Sequence, residues 1–460
     1  MPHTAMKRIV AALLVLAFCL PAQASAPAPD VAFVDVNLVP MDRERVLPHQ
    51  TVLVRAGVIA ALGPVGDVAL PADAQRIDGH GTAYVLPGLA DMHTHVESPD
   101  DAVLYLANGV TTVLQMGSDR VLPARRIKAS IADGAMAPQA FFALMVDGPS
   151  PLGGGWPVTS GAEARAAVTM ARAFGYDFIK VYNGLGASEF DALVRAARKE
   201  GLAVIGHGVR SVGLPAGLFK GQVMVAHAEE FYYTAFNNRG DEAAIASVVE
   251  KTFESRAFVT PNLSTFEVIT RQWGKPEQVA ALLHDHNMEY VSPAVRVDLV
   301  DRDYGRRTGD LTPMLEFLRH FTKALSDRGV PLLAGTDSPA IPGMLPGFSI
   351  HEDLRTLQEA GLSPFQALSA ATRTPGEFIA RTVPGANKFC VVARGARADL
   401  LLVSDNPLQS LDTLRKPVGI MYGGRWKPAE DFQAVLAATR TRYASALREL
   451  ISGQSPALPP

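Results

Sequence analysis

The chain has 460 residues, 48% apolar and 19% charged, with a formal net charge of −3. That is ample for a large buried core, too apolar for a disordered chain, and without the basic excess on which nucleic-acid binding draws. Two cysteines exclude both a disulfide scaffold and a cysteine-rich zinc module.

Lys7 and Arg8 precede an unbroken apolar run, Ile9 to Leu20, and the small-x-small triplet Ala22-Gln23-Ala24 follows. This pattern predicts a secretory signal peptide over 1–24 and an exported protein, periplasmic or secreted. A run of that length spans about 18 Å against a hydrocarbon core of about 30 Å, so no stable membrane insertion is expected after cleavage. Leu16-Ala17-Phe18-Cys19 makes a poor lipoprotein box, because bulky Phe18 stands where a small residue belongs. Beyond the signal, Cys390 is the single cysteine, which leaves no intramolecular bridge.

Past the linker Ser25–Pro29, short β segments occupy Val31–Val36, Thr51–Arg55 and Val58–Leu62, with Ala56-Gly57 as a hairpin turn. Similar segments return between about Val392 and Trp426, including Asp399–Val403 and a Gly423-Gly424 turn. Whether the two groups pair is left open by the pattern alone. Between them, apolar β runs alternate with helical stretches, the mark of a parallel α/β fold. Eight strands are predicted: Leu89–Met92, Val110–Leu114, Ala140–Leu144, Phe178–Val181, Ala203–Gly206, Met224–His227, Phe258–Thr260 and Pro331–Ala334. Ser160 with Glu163, Ser349 with Glu352 and Ser363-Pro364 with Gln366 fit capping boxes. Eight such units suit a (β/α)8 barrel with insertions. An open doubly wound sheet is the alternative, and no glycine-rich dinucleotide fingerprint opens its first unit.

The chemistry begins at His93-Thr94-His95, where residues two apart on a strand share a face and two imidazoles converge. Alone, such a pair is as often a hydrogen-bonded core. Its place at the carboxyl end of a barrel strand, where barrel active sites lie, raises its weight. Lys180, His207, His227 and Asp337 end four later strands, so four of the eleven histidines stand at strand ends. Apolar residues bury each approach, and a buried Lys or Asp needs a partner or a metal. A shared metal site is therefore expected, against the alternative of a satisfied polar core.

The run Leu86-Pro87-Gly88-Leu89-Ala90-Asp91-Met92-His93-Thr94-His95 resembles the first-strand signature of the amidohydrolase superfamily. The resemblance continues through Gly109–Val113, Phe178–Val181, His207, His227, Gly335-Thr336-Asp337, Glu359–Thr372 and Ala398–Leu402, covering about 31–426 in order. It points to the imidazolonepropionase-like or Xaa-Pro dipeptidase-like branch with a fourth-strand lysine. It implies a (β/α)8 TIM barrel, 86–384, with a small β-sandwich from both chain ends, 25–85 and 385–428, before a C-terminal helix and tail over 429–460. It also implies two divalent metal ions, most naturally zinc. His93, His95 and Asp337 would hold one and His207 and His227 the other, with Lys180 bridging them as N6-carboxylysine. An unmodified lysine has only donors and cannot bind a cation; the alternative for Lys180 is a salt bridge to Asp337 or another carboxylate.

On that reading, two ions sharing a water would lower its pKa from 15.7 toward about 7, and Asp337 would be the catalytic residue that carries its proton to the leaving group. The expected activity is hydrolysis of a C–N amide bond in a small molecule: a dipeptide, an N-acyl amino acid or a cyclic amide. Lactone or phosphoester hydrolysis and a mononuclear, deaminase-like reaction are alternatives, and an exported metal- or solute-binding protein is the non-enzyme one. Arg210 and His351 follow ligand-bearing strand ends and are candidates for substrate contact, Arg210 through its fork of donors. His284-Asp285-His286 is read on a helix, where residues two apart diverge. His320 is read as structural, and His80 as part of a turn before the barrel. Pro151–Trp156 lacks the lysine of a phosphate loop and is read as a barrel-top loop. Oligomeric state leaves no mark in the sequence.

Overall fold

The computed structural model describes residues 29–96, 98–117, 122–149, 154–293, 295–296 and 304–452. The signal-peptide and Cys19 readings, part of the glycine-rich loop and the last eight residues of the tail lie outside them. Among the described residues, no helix is long and apolar enough to cross a membrane.

Strands β1 (Val31–Leu38), β2 (Leu47–Arg55), β3 (Val58–Pro64), β4 (Gln75–Asp78) and β5 (Tyr84–Pro87) open the fold. Ala56 (φ 48°) and Gly57 (φ 79°) form the two-residue turn expected between β2 and β3. The barrel strands are β6 (Leu89–Thr94), β7 (Val110–Gln115), β8 (Gln139–Asp147), β10 (Phe178–Val181), β11 (Ala203–Gly206), β12 (Gln222–Ala226) and β13 (Phe258–Thr260), with the short β9 (Trp156–Pro157) beside β8. Strands β14 (Leu400–Val403), β15 (Gly419–Tyr422) and β16 (Arg425–Pro428) return to the first group, and the helix Ala429–Ser452 follows.

The first and last strands make one sheet in the order β16-β15-β14-β5-β1-β2-β3, with β4 also on β1. In a flat sheet four strand spacings would separate β1 from β16 by about 19 Å. Phe33 on β1 nevertheless meets Trp426 on β16 edge to face, at 5.3 Å between ring centroids. The sheet therefore curls into a sandwich over Val36, Val52, Ile59, Val85, Leu400, Leu402 and Met421. Its two edges touch at the turns. Gly57 and Gly424 approach so closely that a Cβ on Gly424 would lie 2.5 Å from the Gly57 Cα, which excludes any larger residue there.

Seven parallel strands form the barrel wall in the order β13-β12-β11-β10-β8-β7-β6. The predicted eighth strand is irregular. Leu332 bridges Val259 and Ser338 bridges Thr94, while Leu333 N–H donates to Val259 O at 2.9 Å and Met92 N–H to Ala334 O at 2.9 Å, so the segment still closes the barrel. It does not run as a ladder because other groups take its donors: Ala334 N–H goes to Ala370 O and Gly335 N–H to the buried Asp353 carboxylate.

Aromatic residues plug the amino-terminal end of the barrel. Phe378, on the helix Arg373–Thr382, stacks on Phe178 at 5.4 Å and meets Phe258 at 5.0 Å, and Phe389 stacks on Phe141. Phe178 opens β10, and Lys180, two residues on, points into the same interior one layer higher. The apolar floor thus sits beneath the polar groups at the other end. Ser363 forms its capping box with Gln366 as expected, whereas Ser160 caps its helix through its hydroxyl alone, because the Glu163 carboxylate accepts from Thr159. Ser349 does not cap, because it lies inside its helix and its hydroxyl instead accepts the Leu345 N–H.

Candidate metal centre

The His93 side chain is aimed by a fault in strand pairing. Asp91 pairs with Val113 but Thr94 with Gln115, so three steps on β6 face two on β7, a bulge of the kind that re-aims side chains next to functional sites. Asp91 faces the helix layer, where Tyr105 and Asp353 feel its charge, whereas His93 is fully buried within electrostatic reach of Lys180 and His227. Asp337 Oδ1 lies 3.2 Å from His93 Nε2 and 3.0 Å from His95 Nε2. His95 Nδ1 sits 2.8 Å from Gly117 O, which fixes the proton there and turns Nε2 inward. The ligand atoms of His93, His95 and Asp337 all fall within 4.8 Å of one another, and no other group of three or more such residues occurs among the described residues.

The second cluster adjoins the first. The His227 ring lies 4.6 Å from that of His93 and 4.9 Å from that of His207, and its Nε2 is 3.9 Å from Asp337 Oδ2. His207 Nδ1 meets Glu230 Oε1 at 2.9 Å, and its ring lies 4.0 Å from that of Tyr182. Lys180 is 1% exposed, with Nζ 5.7 Å from the centre of the Tyr182 ring. Among the described residues no carboxylate comes within ion-pair distance of Lys180 Nζ, so the salt-bridge reading of this lysine finds no partner. His227 (φ 71°) and Asp337 (φ 57°) both hold left-handed backbone, a strained state for residues with a Cβ and one that clusters at functional sites.

Electrostatics prepare both clusters for a cation. Burial and the nearby Lys180 push His93, His207 and His227 well below the ordinary imidazole range, so each is neutral and has a lone pair to give. Burial alone would raise Asp337, but the imidazoles of His93, His95 and His227 hold it well below the usual carboxylate range. Burial lowers Lys180 to about 8, although Asp337 and Glu230 oppose the shift. The Nδ1 atoms of His93 and His227 are buried without a hydrogen-bond partner among the described residues. Neutral imidazoles around one carboxylate fit a borderline divalent ion such as zinc.

Several supporting residues carried no sequence signal of their own. Asp91 accepts from Thr336 Oγ1–H at 2.6 Å and from Thr336 N–H at 3.1 Å, and burial pushes it up to about 8. Asp353 accepts from Gly335 N–H and the Ser264 hydroxyl, and burial pushes it up to about 6. Asn262 donates to Gly335 O at 2.8 Å. Together they clamp 335–336 and so present Asp337. Asp91, two residues before His93, lies within the quoted first-strand run and could have been singled out; the others come from distant segments.

Arg210 is exposed near the site, 5.6 Å from the Tyr233 ring; burial pushes Glu230 up to about 7, a shift that hydrogen bonding from Asn183 and the Arg210 charge oppose. His351 is a correction. It is buried on the helix Ser349–Glu359 against the Asn108 backbone, Arg415 and Glu352, and it does not enter the cluster. His284 and His286 are also placed differently from the helical reading: the α-helix ends at Leu283, exposed His284 follows it in a turn, and exposed His286 opens the short 3-10 helix His286–Tyr290. His320 lies on a helix surface beside Glu242, and His80 sits in an exposed turn.

No family model matches the chain. An adenine deaminase of Chelativorans sp. (strain BNC1) is 29% identical over 198 residues, which is 39% of this chain and 32% of that protein. The chain thus spans about a third of the length of the curated relatives it matches. Among solved structures, bottromycin amidohydrolase is similar with a TM-score of 0.71 and 24% identity, covering 90% of each chain. A Xaa-Pro dipeptidase with bound methionine in its active site is similar with a TM-score of 0.63 and 19% identity, covering 87% of this chain and 100% of the other. The barrel and its curled sheet are the fold that these solved structures share.

Proposed function

We propose that this chain is an exported, metal-dependent hydrolase that cleaves a C–N amide bond in a small molecule: a dipeptide, an N-acyl amino acid or a cyclic amide. The observation that carries the reading is the convergence of His93, His95 and Asp337, with His207, His227 and Lys180 alongside, at the carboxyl end of the barrel. His93, His95 and Asp337 would hold one zinc ion, His207 and His227 a second, and Lys180 would be shared between them. Addition of CO2 to the neutral Nζ amine, with loss of one proton, gives a carbamate anion with two ligand oxygens, and the lack of a carboxylate at ion-pair distance from Nζ among the described residues supports it. When bound, such ions supply a polarised water and polarise the scissile carbonyl.

The remaining steps belong to the chain's own groups. Asp337, held between His93 and His95 at 3.2 and 3.0 Å, takes the proton of the attacking water and hands it to the departing nitrogen. Gly117 O and Glu230 fix the ring orientations of His95 and His207. Arg210 offers a forked donor to a substrate carboxylate at the rim. A second reading, deamination of a heterocycle by a single ion, draws on the adenine deaminase match alone.

The test is elemental analysis of the purified chain grown with zinc and bicarbonate, followed by a panel of dipeptides, N-acyl amino acids, cyclic amides and adenine. About two ions per chain and amine release from an amide are expected. One ion per active chain, with ammonia released from adenine only, would select the deaminase reading.

A further inference from the structure

Glu230 is a buried acid beside the cluster with both carboxylate oxygens engaged. Its Oε1 lies 2.9 Å from His207 Nδ1 and accepts its hydrogen bond, and its Oε2 accepts from Gly208 N–H at 3.2 Å and from Asn183 Nδ2 at 2.8 Å. Asn183 closes the bracket: the same Nδ2 donates to Gly208 O at 2.9 Å, and Asn183 O accepts Arg210 N–H at 3.1 Å. Three segments that are far apart in sequence, the ends of β10, β11 and β12, are thus joined through one buried carboxylate.

Chemistry fixes what the bracket can do. A carboxylate is acceptor-only, so the proton between Glu230 and His207 sits on Nδ1, leaving the Nε2 lone pair to face the cluster. Both Oε2 partners are donors as well, so an amide at 230 either sets its NH2 against a donor or turns it to His207 and forces that ring into the tautomer with the proton on Nε2. Holding Gly208 from both its N–H and its C=O freezes the turn that continues to Arg210.

We propose that Glu230, bracketed by Asn183, is a positioning residue that sets the His207 tautomer and locks the 207–210 turn, so that the metal-facing imidazole and Arg210 are placed as one unit. The inference rests on the metal-centre reading above, and metal binding can be measured without any substrate.

The full chain, stripped with a chelator, is titrated with Co2+ or Zn2+ in bicarbonate against a chromophoric competitor. Amide exchange at Gly208 and the melting temperature of the metal-free protein are followed in parallel. Glu230→Gln is expected to weaken metal binding about 10- to 100-fold and to speed exchange at Gly208. Asn183→Ala keeps the His207–Glu230 bond and is expected to weaken binding by less than about tenfold while still speeding Gly208 exchange. Affinity within about twofold of the parent in Glu230→Gln overturns the inference, even if the melting temperature falls, because a merely structural acid would behave that way. If Glu230→Gln does not fold, unchanged affinity and unchanged Gly208 exchange in Asn183→Ala overturn it instead. A parent chain that takes up no metal sinks the metal-centre reading and this inference together; normal uptake by the parent with no change in either variant sinks this inference alone.

Discussion

The two halves of the candidate centre are assembled by different means. His93, His95 and Asp337 bring three ligand atoms within 4.8 Å of one another from unmodified side chains. Lys180, His207 and His227 bring two imidazoles and an amine that cannot accept a bond from a cation. The first half is complete once the barrel closes. On the reading proposed here, the second becomes complete only when Lys180 gains two oxygens. The contrast teaches that a site can be preformed in shape yet unfinished in chemistry, and it gives each half its own signature when perturbed.

The largest effect should come from the complete half. Asp337→Ala removes the one carboxylate that His93 and His95 share, and it should cost more metal affinity and rate than the roughly 10- to 100-fold expected of a supporting residue. Metal analysis and turnover of the variant check this; retained metal and near-normal rate would remove Asp337 from the centre.

The next test breaks the other half. Lys180→Ala should lose one ion and nearly all activity, and acetate or propionate should restore part of both by supplying the missing oxygens. Full metal occupancy without added acid would show that the lysine is no bridge.

A smaller effect separates the support of the complete half from its ligands. Burial raises Asp353 to about 6 in the folded chain, above its ordinary carboxylate value, so folding favours its protonated form. Its contribution is therefore greatest below the unfolded pKa of about 4 and is lost as pH rises through about 6, a change on the order of 3 kcal/mol. The urea-unfolding free energy of the metal-free chain, parent minus Asp353→Asn, should fall across that window. A difference that does not vary with pH would contradict the assignment.

Much of this site was legible because it follows local rules. The strand-end positions of His93, His95, Lys180, His207, His227 and Asp337 come from apolar runs that stop at a polar residue, and the turns at Gly57 and Gly423-Gly424 from glycines that tolerate positive φ. Local pattern also set the limits. It placed Ser349 as a cap, His284 on a helix and His351 near the ligands, and the structure moves each of them, because caps, helix ends and inward faces depend on what packs against them.

By itself, then, the sequence determined seven of the barrel strands, where most of them end and which residue types stand at those ends, since these depend on periodicity and turn chemistry within a few residues. Only tertiary structure decided the β6 bulge that turns His93 inward, the clamp of Asp91, Asp353 and Asn262 on 335–336, and the Glu230–Asn183 bracket around His207. Tertiary structure also decided the curl that sets Phe33 on Trp426. Each is a contact between segments far apart along the chain, where hydrogen bonds and packing are settled by closure of the barrel and not by any neighbour in sequence.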